Sequence, residues 1–229
     1  VFPQLSRSAV YRELVRLQLH QLKALRPPRQ RRRGKFRACP PGFLHVDVFY
    51  LPRLDRQRRY LFVAIDRATR LLTTQVSDTR ETASALAFLA HCQRFYPFRL
   101  YRILTDNGRE FTLRTYRGRG GARTRQLHPF TQASRQAKIR HSLTKVYHPW
   151  TNGLVERAGS TIKTETVYRL HFDTVAQLLS ALYGFERYFN CHRPYKAIGG
   201  KTPSQLTQEW YAKAPQRFLR EPTVLFTTW

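Results

Sequence analysis

The feature that most limits the possible folds is a change of pattern after Gly42, where three strand-forming runs begin. Residues 43–51 and 60–66 are rich in β-branched and aromatic side chains, and residues 71–77 form a third run. The segments between these runs are polar. Such runs separated by polar loops are typical of antiparallel strands. The sequence therefore predicts a three-stranded antiparallel meander.

Helices and strands alternate after the meander. Asp78, with Glu81 three residues later, is predicted to cap a helix. The elements predicted after it are a strand at 101–106, a helix at about 129–138, a strand at 141–146, a helix containing Glu156 and a helix at 174–189. This alternation predicts an α/β domain. Periodicity leaves the order of the strands open.

The ends of the chain and one internal segment differ from this pattern. Residues 8–19 predict a short amphipathic helix with Ser8 at its N-cap. Residues 26–37 combine prolines with a dense run of cations, which is typical either of a solvated linker or of a segment that contacts phosphates. Residues 112–127 are rich in Arg and Gly and predict a mobile loop.

The net charge indicates a polyanionic partner. The chain has 41 Lys and Arg residues against 14 Asp and Glu residues, a formal charge of +27. A compact fold with this excess repels itself unless an anion neutralises it, and nucleic acid is the usual anion. A nonspecific basic protein of the ribosomal type remains the alternative. We expect a cytoplasmic protein with reduced thiols, since the three cysteines are far apart and no apolar run has membrane-spanning length.

Three of the scarce acids stand at unusual positions. Asp47 lies in the middle of the first apolar strand, Asp106 ends the fourth strand, and Glu156 lies in the first turn of a helix. A carboxylate in such surroundings is costly unless it has a cationic partner or binds a metal. The partner is either an Arg or Lys side chain or Mg²⁺, which takes one or two protein carboxylates together with substrate phosphate oxygens. Two such ions serve an in-line displacement at phosphorus.

Other polar residues near these acids have simpler interpretations. Asp66 ends the second strand just before a turn, where Asp is a common turn former, so a structural role is predicted. His45 and His148 either orient the carboxylates or phosphates or make local hydrogen bonds.

Four stretches together carry a family resemblance. They are HVDVFYL, ILTDNGREF, HPWTNGLVER and FNCHRPYKAIGGKTPSQL, in this order along the chain. Residues 40–206 resemble the catalytic core of bacterial insertion-sequence transposases and are similar to the core of retroviral integrases. The resemblance implies an RNase H-like α/β fold, a mixed sheet flanked by helices, preceded by a short N-terminal helix and a basic linker.

The resemblance also implies an activity. Asp47, Asp106 and Glu156 would be the DDE triad that binds two Mg²⁺ ions, with Mn²⁺ as a substitute. The chemistry would be metal-dependent cleavage of a DNA strand and attack of its 3′-hydroxyl on target DNA. The expected partners are transposon ends, target DNA and further copies of the chain, in a bacterial protein that associates with the nucleoid when bound to DNA. No membrane partner is expected.

Five residues are candidate DNA contacts. Ser160 and Lys163 lie four and seven positions after Glu156 and share its helix face, so Lys163 is the leading phosphate contact; the alternative is a solvated surface lysine. The other candidates are Arg157, Lys145 and Arg7.

The predicted domain division has four parts. Residues 1–25 are expected to be the remnant of an N-terminal helix-turn-helix in a fragment of a longer chain; an amphipathic helix packed on the core is the alternative. A basic linker (26–39), the catalytic core (40–206) and a C-terminal tail (207–229) follow.

Two departures from the family leave other functions open, and the first is a segment between Asp106 and Glu156 that is longer than in retroviral integrases because of the Arg- and Gly-rich stretch. Ala158 and Gly159 follow Glu156-Arg157 where the family usually has a bulky residue and Asn, and Gly159 predicts a gap in the helix packing. The alternatives to a transposase are a catalytically decayed DNA-binding protein and an RNase H-like nuclease on the same fold.

Overall fold

A computed structural model of the protein describes residues 6–20, 38–113, 126–144 and 152–222. The chain divides into two compact units, residues 1–37 and residues 38–229. The predicted loop at 112–127 and linker at 26–37 lie almost wholly outside the described residues. In the described part of the chain, no helix is long and apolar enough to cross a membrane.

The first unit contributes one described helix, α1 (Arg7–Arg16). Its N-cap is Ser6, whose hydroxyl accepts a hydrogen bond from the Ala9 N–H at 3.2 Å. The prediction of Ser8 as the cap was wrong by two positions, since both serines have the right side chain and only the backbone geometry distinguishes them. No residue of α1 is buried within this unit.

The second unit is built on a five-stranded mixed sheet with the order β3-β2-β1-β4-β5. The strands are β1 (Phe43–Tyr50), β2 (Tyr60–Asp66), β3 (Leu72–Ser77), β4 (Arg102–Thr105) and β5 (Arg140–Leu143). The first three strands pair antiparallel, which confirms the predicted meander. Strand β4 pairs parallel with β1, and β5 pairs parallel with β4.

Helices cover both faces of the sheet. They are α2 (Thr82–Phe95), α3 (Pro129–Gln136), α4 (Gly153–Ile162), α5 (Val175–Cys191) and α6 (Pro203–Lys213). Side chains at even positions of β1, such as Val46, pack with α2 and α3 in one core cluster. Side chains of the opposite face pack with α4 and α5 in a second cluster. The alternation of side chains along β1 therefore divides the core into two layers.

The entry into α2 differs from the prediction. Glu81 occupies the N-cap position without a side-chain cap hydrogen bond, and the helix begins at Thr82. Asp78 instead forms an ion pair with Arg59 at 3.1 Å. The prediction of an Asp78 cap was wrong because this cationic partner, distant in sequence, takes the carboxylate.

Helix α5 closes the edge of the sheet at β3. Asn190 accepts a hydrogen bond from the Leu72 N–H at 2.9 Å and donates to the Leu72 carbonyl at 2.7 Å. Glu186, one turn earlier, accepts from the Thr74 N–H at 2.7 Å. Burial raises the pKa of Glu186 to about 7. Because these side chains satisfy backbone groups of an edge strand, β3 is less exposed to pairing with another chain.

Helix α6 crosses position 206, where the core was predicted to end. Trp210 and Tyr211 pack against the first core cluster. Phe218 is buried, and its ring lies 5.7 Å from that of Phe98 and 5.2 Å from that of Tyr211. The segment from Trp210 to Phe218 is thus packed on the domain.

Helix α4 approaches β1 closely at Gly159, and the predicted packing gap at this position was wrong. A Cβ atom added to Gly159 would lie 2.1 Å from Cζ of Phe49. The aromatic ring therefore occupies the space that a larger residue at 159 would need. Glycine lowers the helix propensity at this position, but its lack of a Cβ atom permits the close approach of the helix to the sheet.

Replacing Gly159 with Ala should destabilise the protein by about 1–3 kcal/mol, because the partly buried Phe49 ring has to move. Gly184, in α5, is the matched control, since a Cβ added there meets nothing within 4 Å. Gly184→Ala should stabilise the protein by about 0.5–1 kcal/mol through helix propensity. Urea unfolding measures both free energies. Equal stabilisation by the two substitutions would contradict the packing account.

Candidate active site

The parallel pairing of β1 and β4 brings two of the predicted acids to the same level of the sheet. His45 pairs with Leu104, so the same register, continued by two residues, sets Asp47 opposite Asp106. Asp106 follows the last residue of β4. Neighbouring strands lie about 4.8 Å apart, so the side chains of these residues project from adjacent backbones.

Asn152 ties the start of α4 to the same place. This residue is the N-cap of α4, but its side-chain amide donates to the Val46 carbonyl at 3.3 Å rather than capping the helix. It is 2% exposed. Glu156 lies in the first turn of that helix, and its N–H donates to the Asn152 carbonyl. The helix that bears Glu156 is thereby anchored to the peptide that precedes Asp47.

The charges of the other two acids act on Asp47. The pKa of Asp47 is raised to about 7, chiefly by burial and also by the negative charges of Asp106 and Glu156, against the hydrogen bond from the Val48 N–H and the charge of Arg80. Asp47 and Glu156 have no cationic partner within 4 Å among the described residues. This holds in a chain with 41 Lys and Arg residues. The predicted alternative of Arg or Lys partners for all three acids is not supported by these contacts.

The donor set fits a divalent cation in its chemistry. Carboxylate oxygens are the ligands that Mg²⁺ prefers, and one or two carboxylates with several waters are enough. Within the described ranges, no three His, Cys, Asp or Glu side chains are close enough together to form a ready-made metal cage. A cation bound near the acids would thus neutralise their negative charges, although the acids do not form a closed cluster.

Arg80 and Glu110 form a second, unpredicted pair beside Asp106. The Arg80 guanidinium donates to Glu110 at 2.6 Å and lies 4.0 Å from Asp106. Glu110 is 2% exposed, and Arg80 supplies the cationic partner that a buried carboxylate needs. The sequence offered one signal for Glu110, an acid four residues after Asp106 in a chain with few acids, but none for Arg80.

A chain of hydrogen bonds holds the backbone of Asp106. Thr105 donates its hydroxyl hydrogen to the Asp106 carbonyl at 2.9 Å and contacts His141 Nε2 at 3.0 Å, which assigns the ring hydrogen to Nε2. Nδ1 then accepts from the Thr131 hydroxyl at 2.9 Å. The pKa of His141 is lowered to about 4, chiefly by burial and also by nearby His128. A neutral His141 therefore fixes the end of β4.

His45 lies on the same face of β1 as Asp47. It is 1% exposed, and its ring nitrogens have no hydrogen-bond partner among the described residues. Burial lowers the pKa of His45 to about 4, with the charge of Arg67 as the next cause, while Asn152 acts in the opposite direction. His148 lies outside the described residues.

Asp66 has the predicted structural role. It is fully buried, and its carboxylate accepts hydrogen bonds from the N–H groups of Gly42, Phe43, Ala68 and Thr69 at 2.8 to 3.1 Å. It closes the turn after β2, and its carboxylate oxygens are used by these backbone hydrogen bonds.

The candidate DNA contacts are distributed unevenly. Arg157 and Ser160 are exposed on α4. Lys163 follows that helix at the start of a π-helical turn, and its ammonium lies 5.8 Å from the Phe49 ring and 5.7 Å from the Tyr168 ring. Arg7 belongs to the first unit, and Lys145 lies outside the described residues.

Two family models, each described as an integrase core domain, match overlapping parts of the chain that together span residues 37–203. One matches residues 37–149 and the other residues 137–203. The chain belongs to the integrase core domain family. The predicted recognition of a transposase and integrase core is thus confirmed.

Relatives of this integrase core chain include insertion-sequence proteins. The transposase for insertion sequence element IS904 of Lactococcus lactis subsp. lactis (strain IL1403) is 24% identical over 172 residues, which are 73% of this chain and 62% of the relative. An uncharacterised 39.2 kDa protein of insertion element IS476 from Xanthomonas euvesicatoria is 23% identical over 215 residues, 91% of this chain and 57% of the relative. The chain thus spans less than two thirds of either relative.

Solved integrase structures share the fold. A chain in the cryo-EM structure of the simian T-cell lymphotropic virus intasome in complex with PP2A regulatory subunit B56 gamma aligns with a TM-score of 0.58 at 22% identity, covering 88% of this chain and 74% of that chain. The HTLV-2 integrase catalytic core domain in complex with magnesium, in its dimeric form, aligns with a TM-score of 0.54 at 20% identity, covering 74% and 99%. The predicted RNase H-like mixed sheet flanked by helices is confirmed.

Replacing Asp47 with Asn should stabilise the metal-free protein in a pH-dependent way. The folded-state pKa of Asp47 is raised to about 7 from 3.8, so the folded state holds this proton more tightly than the unfolded state between those values. Wild-type stability therefore falls as pH rises through this window, and Asn at 47 has no proton to lose. The advantage of Asp47→Asn should grow by about 2–3 kcal/mol from pH 5 to pH 7 and then level off.

Urea unfolding in the presence of a chelator measures this difference at each pH. Proton linkage amounts to roughly 1.4 kcal/mol per pKa unit. If the difference in unfolding free energy between the variant and the wild type stays constant between pH 5 and pH 8, the folded structure does not raise the pKa of Asp47.

Proposed function

We propose that the protein is a DDE-type DNA strand transferase, a transposase or integrase that cleaves a DNA strand and joins its 3′-hydroxyl to target DNA. The observation that carries the proposal is that Asp47 and Asp106 stand at one level of two adjacent parallel strands, while Glu156 lies on the helix tied to β1. Membership of the integrase core domain family and the likeness to an insertion-sequence transposase support it.

The three carboxylates would hold the metal ions. Two Mg²⁺ ions, or Mn²⁺ in their place, would activate the attacking oxygen and stabilise the leaving oxygen of an in-line displacement. A similar HTLV-2 integrase core was solved in complex with magnesium, which agrees with this assignment. The chain's own residues supply the positions: His141 and Thr105 fix the Asp106 backbone, while Asn152 fixes the helix of Glu156.

The basic surface would bind the DNA backbone. Arg157, Ser160 and Lys163 follow Glu156 along and beyond α4, so phosphates near the acids would meet them first; Lys145 and Arg7 stay predictions of further contacts. The partners proposed are transposon ends, target DNA and further copies of this chain. Retroviral relatives solved as an intasome and as dimeric and trimeric cores are the basis for the multimer.

We also propose a division of the chain into domains. Residues 1–25, with α1, would belong to a DNA-reading module joined by the basic linker at 26–39 to the catalytic core, which we now extend through α6 to Phe218.

Neutralising any one acid should abolish joining while DNA binding stays nearly unchanged. The variants are Asp47→Asn, Asp106→Asn and Glu156→Gln, and their charge is needed for the metal rather than for contact with phosphates. The assay incubates pre-cut DNA ends with plasmid in Mg²⁺ or Mn²⁺ and detects joined products. Near-normal joining by one variant would remove that residue from the site. Cleavage of RNA–DNA hybrids without any joining by the wild type would favour the nuclease alternative instead.

Metal binding has its own control. Mg²⁺ should raise the melting temperature of the wild-type protein and have little effect on the Asp47→Asn variant, because a ligand that binds only the folded state stabilises it. Equal shifts in both proteins would place the metal elsewhere.

DNA affinity should depend strongly on salt. The logarithm of the association constant is expected to fall by about 0.9 per phosphate contact for each unit of log salt concentration. Lys163→Gln, which keeps the aliphatic stem between the two rings, should reduce the slope by about one contact. The matched control is Lys213→Gln at the exposed end of α6. If both variants shift the slope equally, Lys163 is no special contact.

A further inference from the structure

The loop between β1 and β2 presents an aromatic side chain and several cations beside the acids. Tyr50, the last residue of β1, is three positions beyond Asp47 and is 51% exposed. The Arg58 and Arg80 guanidinium carbons each lie 5.7 Å from its ring centroid, and the Tyr60 ring lies 5.4 Å away. An exposed aromatic ring next to guanidinium groups is the kind of surface that stacks a nucleobase.

The loop carries positive charge that no carboxylate neutralises. Arg53, Arg56 and Arg58 are exposed and have no ion-pair partner among the described residues. Asp55 is the loop's single acid. These guanidinium groups are available to phosphates of a strand whose base lies on Tyr50.

The loop is braced in one conformation. Arg59 is nearly buried and donates to the Leu54 carbonyl at 3.0 Å and to the Gln57 side chain at 3.2 Å, besides its ion pair with Asp78. The Gln57 N–H donates to the Leu54 carbonyl at 3.0 Å and closes the turn.

Arg56 has unusual backbone geometry within that turn. Both central residues of the turn have positive φ angles, 53° for Asp55 and 60° for Arg56. Asp tolerates this region, but an Arg there is uncommon, and strained residues cluster at binding sites. The fold accepts this cost at a residue whose charged side chain points to no protein partner among those described.

Arg80 connects this loop to the acids. Its guanidinium donates to the Tyr50 hydroxyl at 3.1 Å and lies 4.0 Å from the Asp106 carboxylate. A base stacked on Tyr50 would thus lie one side chain away from the candidate active site. Inside duplex DNA both faces of a base are covered by neighbouring pairs, whereas an unpaired nucleotide has a free face to stack on this surface.

We propose that Tyr50, with the arginines of the β1–β2 loop, binds an unpaired nucleotide of a single-stranded DNA end next to the acids. The ring stacks the base, and Arg53, Arg56 and Arg58 contact its phosphates. This inference rests on the proposed function for its choice of DNA, but the stacking site is separate from the metal-binding residues and is tested separately.

The test measures DNA binding of the full chain without divalent metal. One probe is a duplex with a short single-stranded 3′ overhang that carries a fluorescent adenine analogue, and the other is the same duplex with blunt ends. Tyr50→Ala and Tyr50→Leu should each weaken binding of the overhang probe about tenfold and leave the blunt duplex unchanged. Tyr50→Phe should bind within about twofold of the wild type, because it keeps the stacking face. Quenching of the analogue on binding should be lost in the first two variants alone.

Charge is tested with a matched pair of arginines. Arg58→Gln should lower the salt slope for the overhang probe by about one contact, whereas Arg99→Gln, exposed near the start of β1, should not. Equal losses on overhang and blunt probes for Tyr50→Ala, or no loss on either, would overturn the proposal. If the wild type fails to join DNA but the Tyr50 variants lose affinity for the overhang probe, the proposed function is wrong and the stacking site is supported. If the wild type joins DNA but the Tyr50 variants bind normally, the proposed function is supported and the stacking site is wrong.

Discussion

The parallel pairing of β1 with β4 is the constraint on which the rest of the site depends. Its register puts Asp47 and Asp106 at one level, and the partly buried position of Asp47 makes its negative charge costly there. Antiparallel pairing, as between β1 and β2, faces Asp47 with Val63 instead. A mixed sheet therefore lets one strand pack apolar neighbours on one side and present an acid to another acid on its other side.

The third acid depends on how closely α4 can approach that strand. Two contacts decide this distance: the hydrogen bond from Asn152 to the Val46 carbonyl, and the contact of Gly159 with the Phe49 ring. Phe49 shares a strand face with Asp47, so the ring that limits the helix also lies beside the acid. The close approach of the helix at Gly159 places Glu156 near enough for its negative charge to raise the pKa of Asp47.

Charge in the second unit is arranged in two ways. Arg80 is committed to Glu110, with Asp106 and Tyr50 also within reach, so it helps to build the edge of the site. Arg53, Arg56 and Arg58 face solvent a few residues away and have no such commitment among the described contacts. A strongly basic protein thus keeps its acids accessible to cations while its surplus arginines remain available to an anion.

The sequence by itself determined the meander, the alternation of helices and strands, and the identity of the three unusual acids. These depend on local properties: strand-forming runs, breakers, and the cost of a carboxylate among apolar neighbours. Only the tertiary structure decided the strand order, the partner of Asp78 and the role of Gly159 in the close packing of α4 on Phe49. Each of these depends on a residue far away in sequence. Arg80 and Tyr50 escaped sequence reasoning for the same reason: an arginine among 41 basic residues and one tyrosine among 12 become distinctive only through the neighbours that folding gives them.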